Sequence, residues 1–327
     1  MTPPRPRDGD GRSGQGRSGQ GRSGQGRSGQ GRPIPGRSAK PGQRLTPAPP
    51  RRTAAAAPAA GSRRGAAGAA PGRNKVASAQ GLGGEQVEGR RAVRELLAAG
   101  RRRVRAVWVS DELPPSALLA DIGDLAASQR VPVRSVSRGR LAAMARTDAP
   151  QGVIAEADPL PEADLDDLAI GLPGVTPFLL LLDGVTDPHN LGALIRTADA
   201  AGVTGVILPR HRAVHVTPTV AKASAGAIEH VPLALVAGLP TALRDLKAKG
   251  VWIIGLDAAG DTSLFDLPVA VEPVALVVGA EGPGLSRLAK TRCDLVVRIP
   301  QGGQLGSLNV SVAGALACYE VARRRSG

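Results

Sequence analysis

Three segments rich in glycine and uncharged polar residues hold the groups of this chain best suited to chemistry. The first is Asp183-Gly-Val-Thr-Asp-Pro-His-Asn-Leu-Gly-Ala-Leu-Ile-Arg-Thr-Ala-Asp199. It offers His189 as a base, Asn190 as an amide that both donates and accepts, and Arg196 as a permanent cation. The second is Gly279-Ala-Glu-Gly-Pro-Gly-Leu-Ser286, where Glu281 stands among glycines that permit positive φ and close approach of a ligand to the backbone. The third is Pro300-Gln-Gly-Gly-Gln-Leu-Gly-Ser-Leu-Asn-Val-Ser-Val-Ala-Gly-Ala-Leu316, with Ser307, Asn309 and Ser311 set among apolar residues. The spacing G-x-x-G-x-G is not the dinucleotide fingerprint, and no Gly-Lys-Ser/Thr marks a P-loop. The four histidines suggest no metal site.

Each segment comes directly after an apolar run. Such runs span 178–182, 203–208, 231–236, 251–256, 274–278 and 295–299. Unbroken β-branched and leucine runs predict strands covered on both faces, as in a parallel sheet. The fold class is therefore α/β, doubly wound, and ligands of such sheets bind beyond the carboxyl ends of the strands. Leu191, Leu194, Ile195 and Ala198 recur at helical spacing, so a helix begins near Asn190, which suits its cap. Arg196 falls on the polar side about one and a half turns on, where an arginine ordinarily has no special role. His189, beside Pro188, equally suits a turn. Ser307 and Asn309 stand where a cap would open the last helix, and Leu308, Val312, Leu316 and Tyr319 trace one apolar stripe along it. Polar Ser307, Asn309 and Ser311 on that helix need partners if buried, and a ligand is one candidate.

Before these strands lies a smaller unit. Val87, Val93, Leu96 and Leu97 have roughly helical spacing, and a strand at 106–109 comes after the basic cluster 101–105. A helix over 116–129, a strand at 131–136, a helix at 140–145 and a strand at 152–157 complete an α/β domain. The stretch 158–177, acidic and proline-containing, reads as a linker. Residues 11–30 repeat Gly-Arg-Ser-Gly-Gln four times, and Pro, Ala, Gly and Arg dominate residues 33–72. Without apolar periodicity such a stretch buries too little surface to offset its ordering entropy, so 1–84 is expected to be a disordered tail. Residues 1–80 hold 16 of the 42 Lys and Arg residues but only Asp8 and Asp10 of the 28 acids, so the net charge of +14 resides there. Spaced arginines on a flexible arm suit a polyanion, or serve simply as a solubilising extension.

Cys293 and Cys318 make no paired motif, which fits a reduced cytosolic protein. The N-terminus shows no apolar signal region, and no apolar run is long enough to span a bilayer. The expected location is cytoplasmic, with no membrane partner.

Taken in order, Asp187-Pro-x-Asn-Leu-Gly-Ala-x-x-Arg-Thr-Ala, Gly279-x-Glu-Gly-x-Gly-Leu-Ser and Ile299-Pro…Ser307-Leu-Asn-Val-Ser-Val-Ala resemble the three motifs of the SpoU/TrmH family of RNA ribose 2'-O-methyltransferases. Gly89-Arg90-Arg91-Ala-Val and Gln151-Gly152-Val153 resemble the ends of that family's small substrate-binding domain, with departures at Glu88 and Pro150. The resemblance implies a SPOUT-type parallel sheet with a C-terminal trefoil knot over 178–327, preceded by an L30e-like domain over 85–157. It implies S-adenosylmethionine held by backbone near Gly279, Ile299 and Leu308, and no metal. It implies that Arg196 takes part in activating a ribose hydroxyl, while Asn190, Glu281, Ser307 and Asn309 orient RNA and hold the site together. A homodimer is implied too, with the last helix and the first-motif helix near the interface.

The small domain and linker resemble the RlmB-like subfamily, which implies a guanosine of 23S rRNA as target. An adenosine of 23S rRNA, as in thiostrepton resistance, and tRNA stay open as alternatives; no DNA is expected. A catalytically silent RNA-binding protein on this fold is disfavoured by the presence of Arg196, Asn309 and the 279–284 loop. A nicotinamide enzyme on an ordinary Rossmann fold is disfavoured by the missing fingerprint. Two Trp, two Phe and one Tyr give little surface for stacking single-stranded bases, so shape and phosphate contacts should dominate.

Overall fold

Covered strands and amphipathic helices form two sheets in the computed structural model, which describes residues 81–211, 215–304 and 306–327 of the 327-residue chain. The small domain runs β1 (Gln86–Glu88), α1 (Arg90–Ala99), β2 (Val104–Ser110), α2 (Ala117–Ser128), β3 (Val133–Val136), α3 (Arg138–Met144) and β4 (Val153–Ala157). Its strand order is β1-β4-β2-β3, with β4 antiparallel to both neighbours and β2 parallel to β3. Helix α1 buries Ala92, Val93, Leu96 and Leu97 on one face. Val87, grouped by spacing with that helix, lies instead in β1, where it pairs with Ala155.

The second domain continues with α4 (Leu165–Ile170), β5 (Phe178–Asp183), α5 (Pro188–Ala200), β6 (Gly205–Pro209), α6 (Pro218–Ala223), β7 (Leu233–Val236) and α7 (Leu239–Ala248). It closes with β8 (Trp252–Leu256), β9 (Thr262–Ser263), β10 (Val274–Gly279), α8 (Arg287–Lys290), β11 (Leu295–Arg298) and α9 (Val310–Ser326). The sheet order among the described residues is β7-β6-β5-β10-β8-β11-β9, and every pairing in it is parallel. All six residues of β10 and the first five of β5 are buried, as continuous apolar runs require when helices cover both faces. Each large side chain so buried contributes about 1.5–3 kcal/mol relative to exposure.

Two segment boundaries and one basic cluster add detail to the sequence expectation. The supposed tail, mostly 1–80, lies outside the described residues, but 81–84 are packed: Leu82 is buried and its carbonyl accepts from Val216 N. The expected linker 158–177 carries one short helix and a few buried residues. Leu160, Leu168 and Ala169 are buried, and α4 starts on an Asp164 cap that accepts from the amides of Asp166 and Asp167. The basic cluster 101–105 is not all at the surface. Arg102 is buried and donates to both carboxylate oxygens of Glu229, at 2.6 and 3.0 Å, across the seam between the domains. It also donates to the carbonyls of Gly84 and Asp158, so nearly every polar hydrogen it carries is used.

Among the described residues no helix is long and apolar enough to cross a membrane.

Candidate active site

Strands β5, β8, β10 and β11 all end at the same edge, and the segments after β8, β10 and β11 enclose a cavity of about 260 Å³. Its wall includes Leu256, Val278, Gly279, Glu281, Ile299 and Leu308. The loop after β10 doubles back at once. Ala280 and Gly284 exchange backbone hydrogen bonds at 3.0 and 3.1 Å, leaving Glu281 at the turn. Gly279 has no room for a side chain, because a Cβ there would sit 2.1 Å from the Gly284 carbonyl carbon. Asp183, at the end of β5, fastens the far side of the loop by accepting from Ser286 N at 2.7 Å.

Two further motifs close on this loop. Asn190, 7% exposed, donates from Nδ2 to Glu281 Oε2 at 3.3 Å and accepts at Oδ1 from Asn309 Nδ2 at 3.1 Å. Asn309 in turn caps α9, its Oδ1 accepting from the amides of Ser311 and Val312 and from the Ser311 hydroxyl. A polar chain Glu281–Asn190–Asn309 thus ties the β10 loop to the starts of α5 and α9.

Two expectations are corrected here. Asn190 is not the cap of α5. Asp187 takes that role, accepting from His189 N at 3.0 Å with Pro188 in the first turn, and this frees the Asn190 amide for the site. Ser307 and Asn309 are not buried polar groups in want of a ligand; both are exposed, and the apolar stripe beside them is exposed too. Leu308, Val312, Leu316 and Tyr319 are 39, 48, 40 and 53% accessible, so this face of α9 does not belong to the core of its own chain.

Gly279, Glu281, Ile299, Ser307 and Leu308 line the cavity, and Asn190 and Asn309 are bonded to its rim. Arg196 and His189 do not line it. Arg196 lies six residues beyond Asn190, about 9 Å along the helix axis. It borders instead a cleft between the two domains and has no hydrogen bond or ion pair to a described residue. Sequence reasoning missed Asp257 and Leu256, which also line the cavity. Leu256 ends β8 and Asp257 comes directly after it, at the carboxyl edge that the general rule for parallel sheets marks as a ligand position. Lys290 pairs with Asp257 at 3.2 Å and partly neutralises it.

Comparison with known proteins decides what this arrangement belongs to. The family model described as SpoU rRNA Methylase family matches residues 177–319, and RNA 2'-O ribose methyltransferase substrate binding matches 86–163. The 23S rRNA (guanosine-2'-O-)-methyltransferase RlmB of Ralstonia nicotianae is 48% identical over 188 residues, 57% of this chain and 75% of the relative. This chain belongs to the SpoU/TrmH family. Another family member, YacO of Bacillus subtilis, named to the level of a TrmH family tRNA/rRNA methyltransferase, is 44% identical over 205 residues, 62% of this chain and 82% of that one. Among solved SpoU structures, AviRb from Streptomyces viridochromogenes in complex with the cofactor AdoMet aligns with TM-score 0.62 and 29% identity, covering 74% of this chain and 91% of that one.

Proposed function

We propose that this protein transfers a methyl group from S-adenosylmethionine to the ribose 2'-hydroxyl of a guanosine in 23S rRNA. The observation that carries this is the meeting of the three motifs: Glu281, Asn190 and Asn309 are hydrogen-bonded to one another at the rim of the glycine-walled cavity. The relatives named as 23S rRNA guanosine methyltransferases support the choice of RNA and base.

The cavity fits the methyl donor chemically. Leu256, Val278, Ile299 and Val310 offer an apolar wall, and the backbone at Gly279, Ile299 and Leu308 offers hydrogen-bonding groups without side-chain obstruction at the glycine. Bound there, the donor supplies an electrophilic methyl on a sulfonium that departs as a neutral thioether, so no metal is called for. The chain's own residues must supply positioning and proton removal, since a ribose hydroxyl is a poor nucleophile until deprotonated. Glu281, Asn190, Ser307 and Asn309 hold the rim and orient the ribose. Arg196 acts on the hydroxyl through position and charge, with an RNA phosphate as neighbour, because an arginine is a poor base by its ordinary pKa.

We further read the assembly as a homodimer acting in the cytoplasm. An apolar stripe on the exposed face of α9 supports a second copy as its cover, since single soluble chains rarely leave such stripes open. The placement of β10 between β5 and β8, with β11 beyond β8, supports a SPOUT-type sheet with its C-terminal knot; the mixed four-stranded sheet supports an L30e-like small domain. The deciding experiment is to map 2'-O-methyl groups in 23S rRNA and tRNA from a deletion strain. Loss of one guanosine modification in 23S rRNA, restored by the purified protein with S-adenosylmethionine, is the expected result. Loss from tRNA or from an adenosine instead would replace the proposed target.

A further inference from the structure

The cleft that Arg196 borders, about 510 Å³, lies between the domains and is bounded by Glu88, Arg90, Arg91, Gln151, Arg196 and Lys222 among others. Two of its cations come from the first turn of α1 in the small domain, one from α5 and one from α6. The last two, Arg196 and Lys222, are brought together by a close helix crossing. A Cβ on Gly192 would sit 2.4 Å from the Ala223 Cβ, so glycine lets α6 lie directly on α5, with Lys222 next to that contact.

None of the four cations has a carboxylate partner among the described residues. Arg90 donates to the Gln151 carbonyl and Lys222 to the Ala149 carbonyl, bonds that aim them without neutralising them. Arg91 and Arg196 are exposed and have no hydrogen bond or ion pair to a described residue. Elsewhere in the structure cations are commonly paired: Arg94 with Asp121, Arg102 with Glu229, Arg105 with Asp158 and Lys247 with Asp294. The one acid bordering the cleft, Glu88, is fully buried. Its carboxylate is occupied by the amides of Arg146 and Thr147, the Thr147 hydroxyl and the Gln86 amide. Four cations against one shielded carboxylate make a concave site for anions spaced along a chain.

We propose that this cleft binds consecutive phosphates of the substrate RNA, with Arg91 and Lys222 as positioning residues that lead the backbone from the small domain to Arg196. The inference rests on the proposed action on RNA. It explains why Arg196, with no counter-ion of its own, faces the seam rather than the donor cavity: its expected partner is a phosphate. Phosphate contacts fix register without reading bases, which suits a chain poor in aromatic residues.

The test compares the full-length protein with Arg91→Gln/Lys222→Gln and with a charge-matched control, Arg244→Gln/Arg292→Gln, whose side chains lie away from the cleft. The probe is unmodified transcribed 23S rRNA. The cleft variant should bind it on the order of tenfold more weakly at moderate salt, and its slope of log affinity against log salt should fall by about 1.4–1.8, the value for two lost phosphate contacts. The control should keep both properties near wild type. KM for RNA should rise while kcat and S-adenosylmethionine affinity hold, and Arg91→Lys/Lys222→Arg should restore binding. Equal affinity and slope in the cleft variant and the control would overturn the proposal, as would failure of the conservative pair to rescue. If wild type methylates no RNA yet its RNA binding still depends on Arg91 and Lys222, the proposed reaction falls and the cleft stands.

Discussion

Asn309 Nδ2 donates to Asn190 Oδ1 at 3.1 Å, so the residue that caps the last helix also fixes a buried amide in the first turn of α5. One side chain thereby serves stability through its oxygen and the site through its nitrogen. The two jobs can be separated. Asn309→Ala loses both, and the lost cap costs about 1 kcal/mol, seen as a Tm lower by roughly 2–4 °C. Asn309→Ser keeps a capping oxygen but is too short to reach Asn190. Its melting temperature should stay near wild type while methyl transfer falls at least about tenfold, about 1.4 kcal/mol in the barrier. If Asn309→Ser is fully active, the polar chain has no part in the reaction.

The Arg102–Glu229 pair makes a larger stability demand. Both side chains are under 4% exposed, so neither charge can turn to water when its partner goes. Glu229→Gln should therefore cost about 3–5 kcal/mol, the usual penalty for an uncompensated buried charge. Arg102→Met/Glu229→Leu should cost less than the sum of the two singles, because the double change leaves no buried charge. Urea denaturation of the four proteins checks this; additive losses would mean that the pair acts as two independent surface groups.

These two pairs show how far the sequence could be read. Strand positions and three loops were legible because parallel strands buried on both faces need unbroken apolar runs, such as Phe178-Leu-Leu-Leu-Leu182. The cavity residues Gly279, Ile299 and Leu308 were legible through motifs. For Asn190 the motif resemblance pointed to the site while local pattern pointed to a cap, and the two look alike until Asp187 is seen to take the cap. Arg102 stands in the sequence only as one member of the basic cluster 101–105, since nothing local signals a carboxylate 127 positions away. The stripe on α9 carries the same helical spacing whether it faces its own core or another chain, and only its accessibility separates the two.

Acid should weaken the C-terminal helix through Glu320. Hydrogen bonding to Arg323 first, opposed by burial and aided by Arg324, lowers its carboxyl pKa from 4.5 to about 2. A depressed folded-state pKa means stability that is present above the unfolded value and lost as pH falls through the folded one. Wild type should thus exceed Glu320→Gln in stability above about pH 5, with the gap closing as pH drops from 4.5 toward 2. Thermal melts across that range decide it; a gap that stays constant with pH would show that the ion pairs contribute nothing.

The open face of α9 gives a concentration-dependent prediction. Leu316→Glu puts a charge in the middle of the stripe formed by Val312, Leu316 and Tyr319, at a position already 40% accessible in the single chain. Folding of the chain should change little, typically within about 0.5 kcal/mol for a surface substitution. A dimer buried across that stripe should dissociate, seen as half the mass in light scattering. Wild type running as a monomer at all concentrations would remove the homodimer from the proposed function.

Arg196→Ala tests the division of labour between cavity and cleft. Arg196 does not line the donor cavity, and its guanidinium has no hydrogen bond or ion pair to a described residue, so its removal disturbs neither the glycine loop nor the Glu281–Asn190–Asn309 chain. Calorimetric affinity for S-adenosylmethionine should stay within about twofold, under about 0.4 kcal/mol. The rate of transfer should fall by at least about a hundredfold, the scale of losing one preorganised charged group at the transition state. Arg196→Lys retains charge without the planar fork and should recover only part of that loss if geometry against a phosphate matters. Parallel loss of donor binding and transfer in Arg196→Ala would instead place this arginine in the donor site, and the separation of the two pockets would lose its functional meaning.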